Sequence, residues 1–138
     1  MPAEVKVSEL EVGDKVAIVT SSRGMGRESV HVRTVTKKLK TTITLDDVVF
    51  NVHRGSDTIS GVRGEGPRGP WDVRPHYLSP DDPFVAEVRK RISHSNLRHK
   101  VQSALDTWTK EPTAAMADEA AKHLTAYAEW VRASGLEQ

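Results

Sequence analysis

The sequence contains no cysteine in its 138 residues. Disulfide staples, thiolate nucleophiles and cysteine metal sites are therefore excluded. Aromatic residues make up 5% of it, so a stacking surface for single-stranded nucleic acid has few candidates, namely Phe50, Trp71 and Tyr77. No apolar run approaches the roughly 20 residues that a helix needs to span a bilayer. The opening residues, Met-Pro-Ala-Glu-Val-Lys, lack the basic and apolar regions of a secretory leader. Neither sign of charge dominates, with 20 Lys+Arg against 19 Asp+Glu and a net charge of +1. These absences lead to the expectation of a soluble, cytoplasmic protein with one ordinary domain, or a small domain and an appendage.

What is present begins with Val30–Val52. This stretch is rich in β-branched residues and broken by short polar turns. It predicts three short antiparallel strands. Val30, Val32, Thr34 and Thr36 share one face of the first, and His31, Arg33, Val35 and Lys37 the other. Asp46-Asp47 marks the second turn. Upstream, Gly13-Asp14 is a turn feeding a strand that holds Val16–Val19. Residues 1–9 read as a short lead-in. Downstream, Arg54–Pro70 is rich in Gly, Ser and Arg and reads as a loop with at most one strand near Thr58–Val62. A closing strand lies within Trp71–Leu78, with Pro75 placing it on an edge.

After Pro80 the pattern turns helical. Asp82 is an N-cap and Pro83 suits the first helical position. The first helix spans about 83–110. Glu111-Pro112 ends it and Thr113 caps a second, about 114–134, closed by Gly135. Phe84, Val85, Val88 and Ile92 lie on one arc of the first helix. Leu97, Val101, Ala104, Leu105 and Trp108 lie on another, roughly 180° away at about 100° per residue. The changeover falls at Ser93–Asn96. One solution is a continuous helix that buries opposite faces at its two ends and dimerises through its second half as a four-helix bundle. The other is a break that folds the hairpin back to give a monomer. The homodimer is the preferred expectation. In the second helix Met116, Ala120, Leu124, Tyr127 and Val131 form one stripe. Trp108 and Tyr127 fit the hairpin interior, and Trp130 sits beside the stripe.

The elements add up to an α+β protein. A small SH3-like antiparallel β-barrel, about 8–78, precedes a C-terminal helical hairpin, about 82–134. The residues Gly13-Asp14-x-Val16, Val35-Thr36-Lys37, Ile43-Thr44-Leu45-Asp46-Asp47, Phe50, Arg54, the Gly-rich loop, Trp71 and Arg74-Pro75 resemble small barrel proteins of actinobacterial bacteriophages. They are distantly similar to the KOW/SH3-like barrels of transcription and translation factors. The resemblance implies a phage-encoded accessory protein acting in the host cytoplasm. Its KOW side implies a module that binds RNA or proteins.

Catalytic chemistry finds no support. There is no G-x-S-x-G, and the pairs Asp46-Asp47 and Asp81-Asp82 are explained by turns and caps. Gly64-Glu-Gly66-Pro-Arg-Gly69 has the letters of a dinucleotide fingerprint, but Pro70 and Pro75 follow where a helix must begin. The six histidines include no i, i+4 pair. No catalytic residue, metal or cofactor is expected, and the protein reads as a non-enzymatic binding module. Residues 84–110 hold 6 Lys+Arg against 2 Asp+Glu, whereas 111–138 hold 2 against 5. Arg91, His94 and Arg98 share an arc of about 60° with Lys90 on its flank. Arg23, Arg27, Arg63 and Arg68 lie in loops among glycines. Together these form a candidate nucleic-acid surface. The alternative is a protein contact, with a host or phage protein or with a second copy, through Leu97, Val101, Leu105, Trp108 and Trp130.

Overall fold

Gly13 and Asp14 show how local chemistry starts this fold. Gly13 has φ of 100°, which suits glycine, and the turn docks on the strand expected opposite it. The Gly13 N–H donates to the Val35 carbonyl at 2.8 Å, and the Val35 N–H to the Asp14 carbonyl at 2.8 Å. The computed structural model describes residues 3–20, 28–64 and 74–135. Its strands are β1 (Lys15–Thr20), β2 (Ser29–Lys38), β3 (Thr42–Leu45), β4 (Val48–His53), β5 (Thr58–Val62) and β6 (His76–Leu78), followed by helices α1 (Pro83–Lys110) and α2 (Ala114–Ser134). The strands form one six-stranded sheet in the order β5-β4-β3-β2-β1-β6. Every neighbouring pair is antiparallel, and the sheet curls into a nearly closed barrel. The expected α+β architecture, a small barrel followed by a helical hairpin, is the one observed.

Strand alternation places the core. Val16, Val35, Ile43, Leu45, Phe50, Ile59 and Tyr77 point inward and are buried together with Val7 and Leu10. Register brings Ile43 opposite Phe50 and Val35 opposite Leu45. Phe50 meets Tyr77 edge-on at 5.7 Å. Two bulges bend the sheet, between Val35 and Lys37 of β2 and between Asn51 and Val52 at the β4–β5 pairing. The first sets Thr36 outside the simple alternation, and its hydroxyl donates to the Asp46 carbonyl at 2.8 Å.

The other face of β1 and β6 is also dry. Ala17, Val19 and Leu78 are fully buried outside the barrel core. The first turn of α1 lies beside β6. Asp82 caps that helix through the Phe84 N–H at 2.9 Å, and Phe84 meets His76 of β6 edge-on at 6.0 Å. Val85 and Val88 are buried behind it, each burial contributing about 1.5–3 kcal/mol.

The ends of the sheet, β5 and β6, are joined by the residues expected to be a lead-in. The Val5 N–H donates to the Tyr77 carbonyl in β6 at 2.9 Å, and the Val7 N–H to the Asp57 carbonyl beside β5 at 2.8 Å. Glu4 binds Arg74 through both carboxylate oxygens, at 2.7 and 3.3 Å. The same guanidinium donates to the Ile59 carbonyl in β5 at 3.0 Å. Asp57, at φ of 56°, accepts hydrogen bonds from the Ser8 backbone and hydroxyl. These bonds hold its carboxyl below the ordinary carboxylate range.

By its internal contacts the chain divides into two units, Met1–Arg89 and Lys90–Gln138. α1 is one unbroken helix through Ser93–Asn96, so the break considered from the sequence is not formed.

Two outcomes follow from the seam. Arg74→Ala should lower stability by about 1–2 kcal/mol, because it removes a charge-assisted pair and the Ile59 partner from a site only partly shielded from water; urea midpoints measure this. A lowered folded-state pKa stabilises above the unfolded value, about 4 for a carboxylate, and that contribution fades as pH falls through the folded value. Wild type should therefore lose more stability than Asp57→Asn on going from neutral pH to about pH 3. Equal losses would show that Asp57 is not coupled to folding.

Candidate interaction surface on the helical hairpin

α2 is built by its caps. The Thr113 hydroxyl accepts from the Met116 N–H at 3.2 Å, and Gly135 closes the helix at φ of 73°. The link is short, and the Thr113 N–H donates to the Glu111 carbonyl at 2.8 Å. Ala120, within about 20° of Tyr127 around α2 at about 100° per residue, is buried. Nearer the open end His94 fills the interface. Its Nε2 lies 2.8 Å from the Tyr127 hydroxyl, and its ring is 5.4 Å from Tyr127 and 5.7 Å from Trp130.

Beyond Ala120, the hairpin buries little completely. Among the described residues from 90 to 135, no other hydrophobic side chain is fully buried. Leu97, Val101, Leu105, Met116, Tyr127, Trp130 and Val131 are half-buried. Trp108, expected inside the hairpin, is 42% exposed, and Leu124, expected in the interior stripe, is 45% exposed. Sequence pattern placed Leu124 in the interior stripe of α2, whereas it stands in solvent.

On one side of the hairpin a groove of about 300 Å³ runs between His99, Lys100, Ser103, Ala104 and Thr107 of α1 and Met116, Glu119 and His123 of α2. Glu119 and His123 are 3.2 Å apart, one turn apart on α2. Among the described residues no group of three or more His, Cys, Asp or Glu side chains is placed to hold a metal ion.

The basic set is distributed differently. His94 is engaged by Tyr127 within the hairpin, and Arg91 is half-buried. Lys90 and Arg98 are exposed on α1. Arg63 is exposed just past β5, in the barrel unit. Arg23, Arg27 and Arg68 lie outside the described residues, as does the G-x-G-x-x-G stretch beyond Gly64. Of the other exposed α1 cations, Arg89 and Lys100 lie roughly 180° around the helix from Arg98 and Lys110 about 120°, at about 100° per residue. No single helix face collects them.

The His94 contacts yield a graded outcome. Tyr127→Phe keeps the ring and removes the hydroxyl, and should cost about 0.5–1.5 kcal/mol. His94→Ala removes the ring contacts as well and should cost about 1–1.5 kcal/mol more. Thermal melts followed by helical circular dichroism read both. A Tyr127→Phe variant as stable as wild type would show that the hydrogen bond contributes nothing.

No protein-family model, no curated protein and no solved structure matches this chain.

Proposed function

We propose that this chain is a non-enzymatic binding protein whose helical hairpin makes protein–protein contacts, with the barrel as its scaffold. The observation that carries this reading is the hairpin's incomplete burial. Two helices alone enclose little interior, and Trp108 and Leu124 remain open to solvent. An aromatic side chain beside an apolar helix edge is the kind of anchor that protein interfaces use.

A second reading, contact with a phosphate backbone, keeps one observation in its favour. Residues 84–110 hold 6 Lys+Arg against 2 Asp+Glu, and Lys90, Arg98 and Lys100 are exposed. It ranks lower because these cations point in divergent directions and His94 is occupied. The phage-type accessory role is carried by the sequence resemblance alone.

One titration separates the readings. A fluorescently labelled chain is titrated with unlabelled chain, with nuclease-treated cell lysate, and with duplex and single-stranded nucleic acid. The protein reading expects polarisation to rise with a protein titrant and to stay flat for Trp108→Ser/Leu124→Glu. A rise with nucleic acid alone, lost steeply as salt increases, would move the site to the cations.

A further inference from the structure

We propose that residues 6–9 form a latch on the barrel seam, one that opens while the six-stranded sheet stays folded and that acid releases through Asp57.

On the β5 side of the seam a single residue takes most of the grip. The Asp57 carbonyl accepts the Val7 N–H at 2.8 Å. Its carboxylate accepts the Ser8 N–H, 3.2 Å from each oxygen, and the Ser8 hydroxyl as well. Beside it the Lys6 Nζ donates to the Ser56 carbonyl at 3.0 Å, and the Lys38 Nζ from β2 donates to the Leu10 carbonyl at 2.8 Å. The ties of Lys6 and Ser8 are exposed to water. Exposed hydrogen bonds on a short segment mark the part of a fold that opens locally.

The sheet keeps its own ties when the latch lifts. β5 stays laddered to β4, and the Arg74 guanidinium still donates to the Ile59 carbonyl at 3.0 Å. Opening does take Val7 out of the core, where it is buried. That lost burial makes the closed latch the resting state.

Acid acts on the carboxylate. Ionised, it is an acceptor only and suits both Ser8 donors. Protonated, it has a proton of its own to place, and its hydrogen bonds lose the strength that charge gives them. The cations acting on it are Lys6 of the latch and Lys38 of β2, and both lose their counter-ion when it is neutral. On its own turn His53 is engaged by Ser56, whose N–H it accepts at 3.2 Å. Arg54 of that turn and Glu9 of the latch are exposed. The Ser8 bonds, ahead of the lysines, hold the carboxyl below its ordinary range. The grip is therefore full above the unfolded value of about 4 and is lost as pH falls through the folded value.

The test is amide hydrogen exchange of the full chain, read by NMR at about pH 6 and about pH 3, with each amide expressed as protection relative to an unstructured chain. Val7 and Ser8 should be many-fold less protected than the most protected amides of β3 and β4 at both pH values. Their protection should fall several-fold further in acid. Asp57→Asn keeps a residue that tolerates a left-handed φ, and should remove most of the acid loss at Val7. Ser8→Ala, at an exposed position, should lower Val7 protection at pH 6 and shrink the acid loss. Val7 amides as protected as those of β3 and β4 would mean that the strap leaves only when the barrel unfolds, which overturns the latch. An acid loss that persists in full in both Asp57→Asn and Ser8→Ala overturns Asp57 as its trigger.

Discussion

The barrel depends on a seam between β5 and β6, the two ends of its sheet. A curled sheet with open ends leaves backbone donors and acceptors unpaired along both edges. Here residues 4–8 lie across the gap, and their N–H groups reach a carbonyl on each side. Arg74 reinforces the closure because a guanidinium fork donates in several directions at once. It holds the Glu4 carboxylate and the Ile59 carbonyl together. Its cation also lies 6.0 Å from the Tyr77 ring centroid. Tyr77 is itself in the core, so seam and core are one structure.

Closure imposes a second constraint. β1 and β6 sit beside the seam and are buried on both faces. Val16 and Tyr77 fill the barrel, while Ala17, Val19 and Leu78 need a cover outside it. The first turn of α1 reaches β6 through Phe84 and His76, and Val85 and Val88 behind it are buried. The same helix then continues into a different task. Its apolar side moves roughly half a turn around the axis, at about 100° per residue, to Leu97, Val101 and Leu105, which are half-buried. Ser93–Asn96, although weak helix formers, stay helical at the changeover. The first seven residues of α1 belong to the barrel unit and the remainder to the hairpin unit.

The hairpin differs from the barrel in how completely it satisfies its apolar residues. In the barrel, alternation sends each strand's apolar side chains into an enclosed space. Two helices side by side enclose only the strip between them. Ala120 is buried, and larger side chains of both helices are left half-covered. The proposed role follows from that geometry. The hairpin carries apolar and charged groups without the interior to absorb them.

Much of the fold was legible because it is written in local chemistry. Gly13-Asp14, Asp82-Pro83, Thr113 and Gly135 act within a few residues of themselves, and each occupies the turn or cap its side chain suits. The β-branched alternation of Val30–Val52 likewise requires only neighbouring strands. The seam was not legible, since Glu4 and Arg74 are 70 residues apart and neither carries a pattern that names the other. Nor was the bulge at Thr36, because an inserted residue leaves the run of β-branched side chains unchanged. At the candidate surface the sequence by itself determined which residues line the apolar stripes of α1 and α2. Only the tertiary structure decided that His94 turns inward to Tyr127 while Trp108 and Leu124 stay in solvent. Helical periodicity sets the direction of a side chain around its own axis, but whether that direction meets protein or water depends on where the neighbouring helix ends.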